Sequence, residues 1–382
     1  MSADALPVPA AITPPGRLQT TLGLTVGSVG LLMLGLQPLL LGALVAEGRL
    51  TIDQLGLAAT AELLALGLTM AVLASALKPA HVRAINAAGC GALALANGAS
   101  VLTSGYGFVA ARAAAGVAAA LLVWVAVVVI TRARAPDRIA GIFLTVQTLA
   151  QAVLAAVLPV TAMVRWGANG GLAALAVLAL AAIPASLLLQ NRFAALPKAA
   201  DSAVGLPLAG MAGLASVFLY MAGIVGLWVF VERLATAAGA SVETAGIAVA
   251  AALAAQVTGS SAATFLSGAL PTVPVLALCG LGNIIVLAVL GTASGQAPYL
   301  IGVAVFGFLW LFALPFQTRL LIRLDPTRRA AMLLSAAQLL GSAAGPVITS
   351  GFATDASLRG ALIADAALFG AGVVVTLCLR PQ

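Results

Sequence analysis

The chain has 382 residues, 62% of them hydrophobic and 8% charged, with a formal net charge of +7 and a mean hydropathy of +1.15. Soluble domains carry about 25% charged residues, so a soluble core of this length is excluded. The positive balance does not signal nucleic acid, because the basic residues stand in the gaps between apolar runs, as cytoplasmic loops of membrane proteins do.

The first 17 residues hold Pro7, Pro9, Pro14 and Pro15 and lack the regions of a signal peptide. They are expected to form a short disordered cytoplasmic tail. A spanning helix needs about 20 mostly apolar residues, and the chain offers twelve such runs. The first covers about Leu18 to Val45, with Gln37-Pro38 in its second half, where proline removes a backbone hydrogen bond and can kink the helix. The second, about Leu55 to Leu77, carries Glu62 and ends at a basic turn, Lys78 to Arg83. The third covers about Ala84 to Leu102, and the fourth, ending at Thr131, carries Arg112. After the basic turn Arg132 to Arg138, the fifth runs to about Val164 and places Gln147 and Gln151 one turn apart on one face. The sixth covers about Leu172 to Leu189.

Gln190 to Gly205 is the longest internal polar stretch and reads as a cytoplasmic linker between two halves, residues 18–189 and 206–382. Beyond it, runs are expected at about Leu206 to Leu234, Thr244 to Leu266, Thr272 to Gly291, Pro298 to Ile322, Ala330 to Gly351 and Gly360 to Leu379. The seventh closes on Glu232-Arg233 and the last carries Asp365. With the N-terminus inside, thirteen of the eighteen basic residues fall on the cytoplasmic side and four opposite, leaving Arg112 within the membrane. This bias predicts both termini in the cytoplasm. A shift of 191 residues aligns Gly116 with Gly307, Arg138 with Arg329 and Gln147 with Gln338, a weak parallel repeat of six spans.

A charge inside a spanning helix costs roughly 2.5–3.5 kcal/mol on insertion scales. Arg112 is therefore expected to face protein or a wet cavity and to have a partner. Glu62 and Arg112 lie at similar depths from the outer side, at ~1.5 Å per residue, which makes Glu62 the candidate. The pair reads either as an ion pair that opens to exchange a proton or as a permanent bridge between two helices. Gln37, Gln147, Gln151 and Gln338 either line a cavity as neutral hydrogen-bonding groups or bind helices together. Tyr220 and Trp228 form a stripe with Ile224, and Phe306 and Trp310 a second one. Both suit either packing or an aromatic wall for a small, partly apolar organic molecule. Glu232 is expected near the interface, with a possible part in an outer gate, and Asp365 to contact a neighbour or reach the outer interface.

Cys90, Cys279 and Cys378 lie in separate runs without metal or redox spacing and read as small packing residues. His81, the single histidine, falls in a cytoplasmic turn. No nucleophile–base set, zinc spacing or phosphate loop can be assembled around it. Neither an enzyme nor a cofactor-bearing or metal-bearing protein is expected, and the partners are the lipid bilayer and a small-molecule substrate.

The two six-helix halves, the basic central loop, the inside termini and the arginine followed four residues later by glycine, Arg112 and Gly116, resemble the major facilitator superfamily. In that family this motif is associated with proton coupling, and helices 1, 4, 7 and 10 line the path. The basic turn Lys78 to Arg83 departs from the family's loop motif by lacking its glycine and aspartate. The antiporter motif of the fifth helix is missing there, while Gly341-Ser-Ala-Ala-Gly345-Pro346 appears in the eleventh. The resemblance implies an all-α polytopic membrane protein with twelve spans in two six-helix bundles. It implies a monomeric secondary transporter in a bacterial inner membrane, with Arg112 and Glu62 coupling a proton to movement of the solute. The alternatives are a proton-driven multidrug efflux antiporter and a non-transporting membrane sensor.

Overall fold

The computed structural model describes residues 14–76, 80–130, 132–133, 136–193, 206–266, 269–325, 330, 333–354 and 357–379. Most of the expected tail and linker, and the basic residues Lys78, Arg134, Lys198, Arg328, Arg329 and Arg380, lie outside these.

The described chain is helical, with one isolated bridge between Ala80 and Arg192. In order the helices are α1 (Arg17–Gly30), α2 (Leu32–Ala46), α3 (Ile52–Ala76), α4 (Val82–Leu102), α5 (Gly105–Ile130), α6 (Pro136–Val157), α7 (Ala162–Ala181) and α8 (Ile183–Leu187). Then follow α9 (Leu208–Trp228), α10 (Val231–Ala237), α11 (Val242–Leu266), α12 (Thr272–Thr292), α13 (Gln296–Leu324), α14 (Leu334–Ser350) and α15 (Arg359–Cys378). Among the described residues ten helical stretches are long and apolar enough to cross a membrane, counting α1–α2 and α7–α8 as one stretch each, and α6 adds a shorter apolar one. Apolar side chains such as Leu95, Leu102, Leu278 and Ile285 point outward, the surface a bilayer requires. This is an all-α polytopic membrane fold.

Two local features follow from single residues. The first helix breaks at Leu31 (φ −106°, ψ 2°), seven residues before Pro38, and α2 continues through the proline. Gln151 on α6 donates to the Leu31 carbonyl at 2.6 Å. Pro38 has no N–H for the Leu34 carbonyl one turn earlier, and the Trp228 indole donates to that oxygen instead, at 3.0 Å. The second feature is the end of the fifth expected run. Helix α6 stops at Val157 rather than Val164, and Leu158–Thr161, with Pro159, form a turn. Within α7, Gly167 takes φ 56°, a left-handed conformation that glycine adopts freely. The Glu47 carboxylate then accepts the Ala168 N–H at 2.7 Å, acting as a cap on the helix that follows.

Arg49, in the α2–α3 loop, donates to the Ser100 and Val101 carbonyls at 2.9 and 3.0 Å, and also to Thr103 and Asn169. It satisfies carbonyls that the end of α4 leaves without helical partners.

The tightest contacts between residues before 190 and residues after 205 gather toward the pole opposite Arg17 and Cys378. Thr60 on α3 donates to the Ala343 carbonyl on α14 at 2.7 Å. A Cβ at Gly56 would overlap Ser350 and stand 2.6 Å from the Pro346 oxygen. A Cβ at Gly246 on α11 would stand 2.6 Å from Pro159 Cγ and 2.8 Å from the Ala155 oxygen. One at Gly42 on α2 would overlap the Glu232 carboxylate. Glycine at these three positions is what lets the helices meet here.

Candidate functional site

Helices α3, α4 and α5 bring together one charged pair and two neutral polar groups. Arg112, 0% exposed, and Glu62, 6% exposed, form a buried ion pair. Arg112 Nε donates to Glu62 Oε2 at 3.1 Å, and Nη2 donates to Oε1. The contact is therefore bidentate, the geometry that suits guanidinium and carboxylate best. Nη1 donates to Asn97 Oδ1 at 2.8 Å and to Ser100 Oγ at 3.4 Å. Asn97 and Ser100 were not singled out in the sequence, since neutral residues at helical spacing in α4 resemble ordinary helix-binding groups.

Gly116, one turn beyond Arg112, sets the distance between α3 and α5. A Cβ there would overlap the Glu62 carbonyl oxygen and lie 3.0 Å from its carbon. The second half of the chain repeats this contact. A Cβ at Gly307 on α13 would overlap the Ala252 carbonyl on α11 and lie 2.8 Å from its carbon. The 191-residue shift that pairs the two glycines takes Glu62 to Leu253, one residue past the Ala252 that Gly307 meets, and Arg112 to Val303, all three buried and apolar. The same helix pair thus occurs once with an ion pair and once without.

Trp228, Phe306 and Trp310 form a cluster between α9 and α13. The Trp228 and Phe306 rings stack at 6.2 Å, and Trp310 stands 5.6 Å from Trp228 and 6.0 Å from Phe306. Through its indole N–H, Trp228 also reaches α2. Tyr220 does not join this cluster. Its ring meets Phe369 edge-on at 5.6 Å, its hydroxyl donates to the Leu309 carbonyl at 2.9 Å, and it accepts from Asn283 Nδ2 at 3.3 Å. These bonds hold α9, α12, α13 and α15 to one another.

The glutamines divide in the same way. Gln151 holds the Leu31 carbonyl, and Gln338 Nε2 donates to Gln317 Oε1 at 3.2 Å. Gln37 is fully buried with neither amide atom bonded, and the buried Gln147 leaves its oxygen unbonded. Glu232 is buried, with Oε2 unbonded. It lines a cavity of about 1000 Å³ together with Gly42, Ala46, Arg233, Leu290 and Leu362. Asp365 is buried against α9 instead of reaching the surface.

Among the described residues no group of three or more His, Cys, Asp or Glu side chains could hold a metal.

No protein-family profile matches the chain, and no curated protein is similar to it in sequence. Its structure, however, is similar to those of known carriers. A variant of the nucleoside transporter NupG superposes with a TM-score of 0.70 at 11% identity, covering 95% of this chain and 99% of that one. The D-xylose–proton symporter gives 0.66 at 15%, covering 96% and 97%. The xylose transporter XylE from E. coli, partially occluded and inward open, gives 0.69 at 12%, covering 94% and 98%. Over nearly its whole length the chain therefore has the fold of these solute carriers, the major facilitator fold.

Proposed function

We propose that the chain is a secondary active transporter that moves a small, partly apolar organic solute by proton-coupled alternating access. In this reading twelve spans form two six-helix bundles, residues 18–189 and 206–382, joined by a cytoplasmic linker at 190–205. Both termini lie in the cytoplasm, and the protein works as a monomer in a bacterial inner membrane. The observation that carries the reading is the Arg112–Glu62 pair, bidentate and shielded from solvent in a chain with a carrier fold. A buried ion pair is a poor way to gain stability, and the Leu253 and Val303 positions indicate that the fold has no general need of one. Its use is to change protonation when the surrounding helices move. The bidentate contact ties α3 to α5, so a motion that separates the two helices opens the pair and exposes both side chains to new partners.

The close contacts at Gly42, Gly56 and Gly246 support a conformation closed toward the periplasm. Trp228, Phe306 and Trp310 supply ring faces, and Gln37 and Gln147 supply free amide groups, for a ring-bearing polar solute. Glu232 sits where an outer gate would act. Nucleosides and D-xylose, named for the structurally similar carriers, are the first solutes to try. The test is a proteoliposome loaded with a pH-sensitive dye. Solute-driven proton entry supports uptake by symport, and export driven by an imposed proton gradient supports efflux by antiport. Solute flux without proton movement rejects the coupling, and binding with no flux at all rejects transport and leaves a sensor.

A further inference from the structure

Asp365 is the seventh of the twenty residues of α15 and is 0% exposed, and neither of its carboxyl oxygens has a hydrogen-bond partner. Its position is fixed by Gly226 on α9, where an added Cβ would overlap Oδ1 and stand 2.7 Å from Thr349 Cγ2 on α14. The carboxyl therefore packs against α9 at the glycine that the Thr349 side chain, with its hydroxyl, also meets. That hydroxyl already donates to its own helix, to the Gly345 carbonyl at 3.0 Å, and so remains an acceptor.

The helices packed against α15 are α9, α12 and α14. None of them contains a Lys, Arg, His, Asp or Glu residue. Their titratable groups are Tyr220, whose hydroxyl is engaged with Leu309 and Asn283, and Cys279. On α15 itself, Arg359 is exposed and lies six residues away, about 9 Å along the axis. No cation in this group of helices offsets a carboxylate. An unpaired charge at such depth costs several kcal/mol, and a group in that position neutralises instead. A hard metal ion would need six or more oxygens, whereas the two carboxyl oxygens and the Thr349 hydroxyl make three.

We propose that Asp365 is a proton-binding site in its own right, separate from the Arg112–Glu62 pair, loaded in this conformation and exchanging protons through the cavity that Glu232 lines. Leu362, Ile363 and Ala366, on the turns around Asp365, line that cavity, so its wall comes within a turn of the acid. The loaded form is a neutral carboxyl. Separation of α9 from α14 removes the Gly226 wedge, admits water and releases the proton. A part in transport rests on the function proposed above, but the existence of the proton site does not.

The experiment is difference infrared spectroscopy of the full-length protein in lipid nanodiscs at neutral pH, reading the carbonyl stretch of protonated carboxyl groups. The wild type is expected to carry a band that shifts when the protein is made with carboxyl-labelled ¹³C-aspartate. The same band should disappear in Asp365→Asn and persist in Glu62→Gln, and it should shift on transfer to D₂O as the acid exchanges through the cavity. Absence of any aspartate-labelled band from the wild type overturns the proposal, whether or not the variant folds. A band retained in folded Asp365→Asn overturns it equally, as does one abolished by sodium at constant pH. Transport activity is not part of this readout, so a chain that moves no solute can still carry the band and a working carrier can lack it.

Discussion

Replacing Glu62 by leucine leaves the Arg112 guanidinium fully buried, with Asn97 and Ser100 as its remaining side-chain partners. Breaking a buried pair by removing one member costs about 3–5 kcal/mol. Arg112→Met strands the Glu62 carboxylate at similar cost. The double variant, Glu62→Leu with Arg112→Met, removes both charges and puts apolar side chains where the second half of the chain has Leu253 and Val303. Ser100 keeps its bond to the Ala96 carbonyl at 2.8 Å. Asn97 Oδ1 loses Arg112, which costs about 1–3 kcal/mol. The double variant should therefore be more stable than either single one, with a coupling energy of about 2 kcal/mol or more across the cycle. Thermal unfolding of the purified protein in one detergent, with the four forms side by side, measures this. Additive losses in the double variant would refute the reasoning, because they would mean that packing at α3–α5 requires the ion pair itself.

Other expectations rest on equally local contacts. Gly246→Trp places a ring where even a Cβ stands 2.6 Å from Pro159. Spin labels at Thr51 and Thr354, on loops at the same pole, should move apart in that variant, and an unchanged distance distribution would contradict the role given to this glycine. Trp228→Phe leaves the Leu34 carbonyl unbonded, at a cost of about 1–3 kcal/mol. Adding Pro38→Ala restores a backbone N–H one turn away, so the unfolding midpoint lost in the single variant should be largely regained. Gly116→Leu drives a side chain into the Glu62 backbone and should abolish folding, read as loss of the monodisperse peak in size-exclusion chromatography. Gly91→Leu, at a glycine with open space around it, should leave that peak unchanged.

Much of this was legible in the sequence because the bilayer imposes one dominant rule. Apolar runs of spanning length become helices, and the observed α3, α4, α5, α11 and α12 start and end within a few residues of their runs, whereas α9 ends at Trp228 instead of Leu234 and α10 follows from Val231. The meeting of Glu62 and Arg112 was legible from depth alone, since a lone buried charge is too costly to leave without a partner. The break at Leu31 was not, because it depends on Gln151 arriving from another helix. Periodicity placed Tyr220 on a stripe with Trp228, but a helix face says nothing of which neighbour a hydroxyl will choose, and Tyr220 turns to Leu309 and Asn283. The burial of Asp365 against α9 was not legible for a related reason. The wedge that buries it is Gly226, a residue without a side chain, in a helix more than a hundred positions away.

The central claim is that Glu62 and Arg112 join a proton gradient to solute movement. It is tested most directly by comparing two fluxes in the same proteoliposomes, accumulation driven by a pH gradient and exchange of labelled for unlabelled solute without one. The solute is whichever nucleoside or pentose the wild type carries. In Glu62→Gln, accumulation should fall to the level of empty liposomes while exchange continues. Gradient-driven accumulation at the wild-type level in that variant contradicts the account.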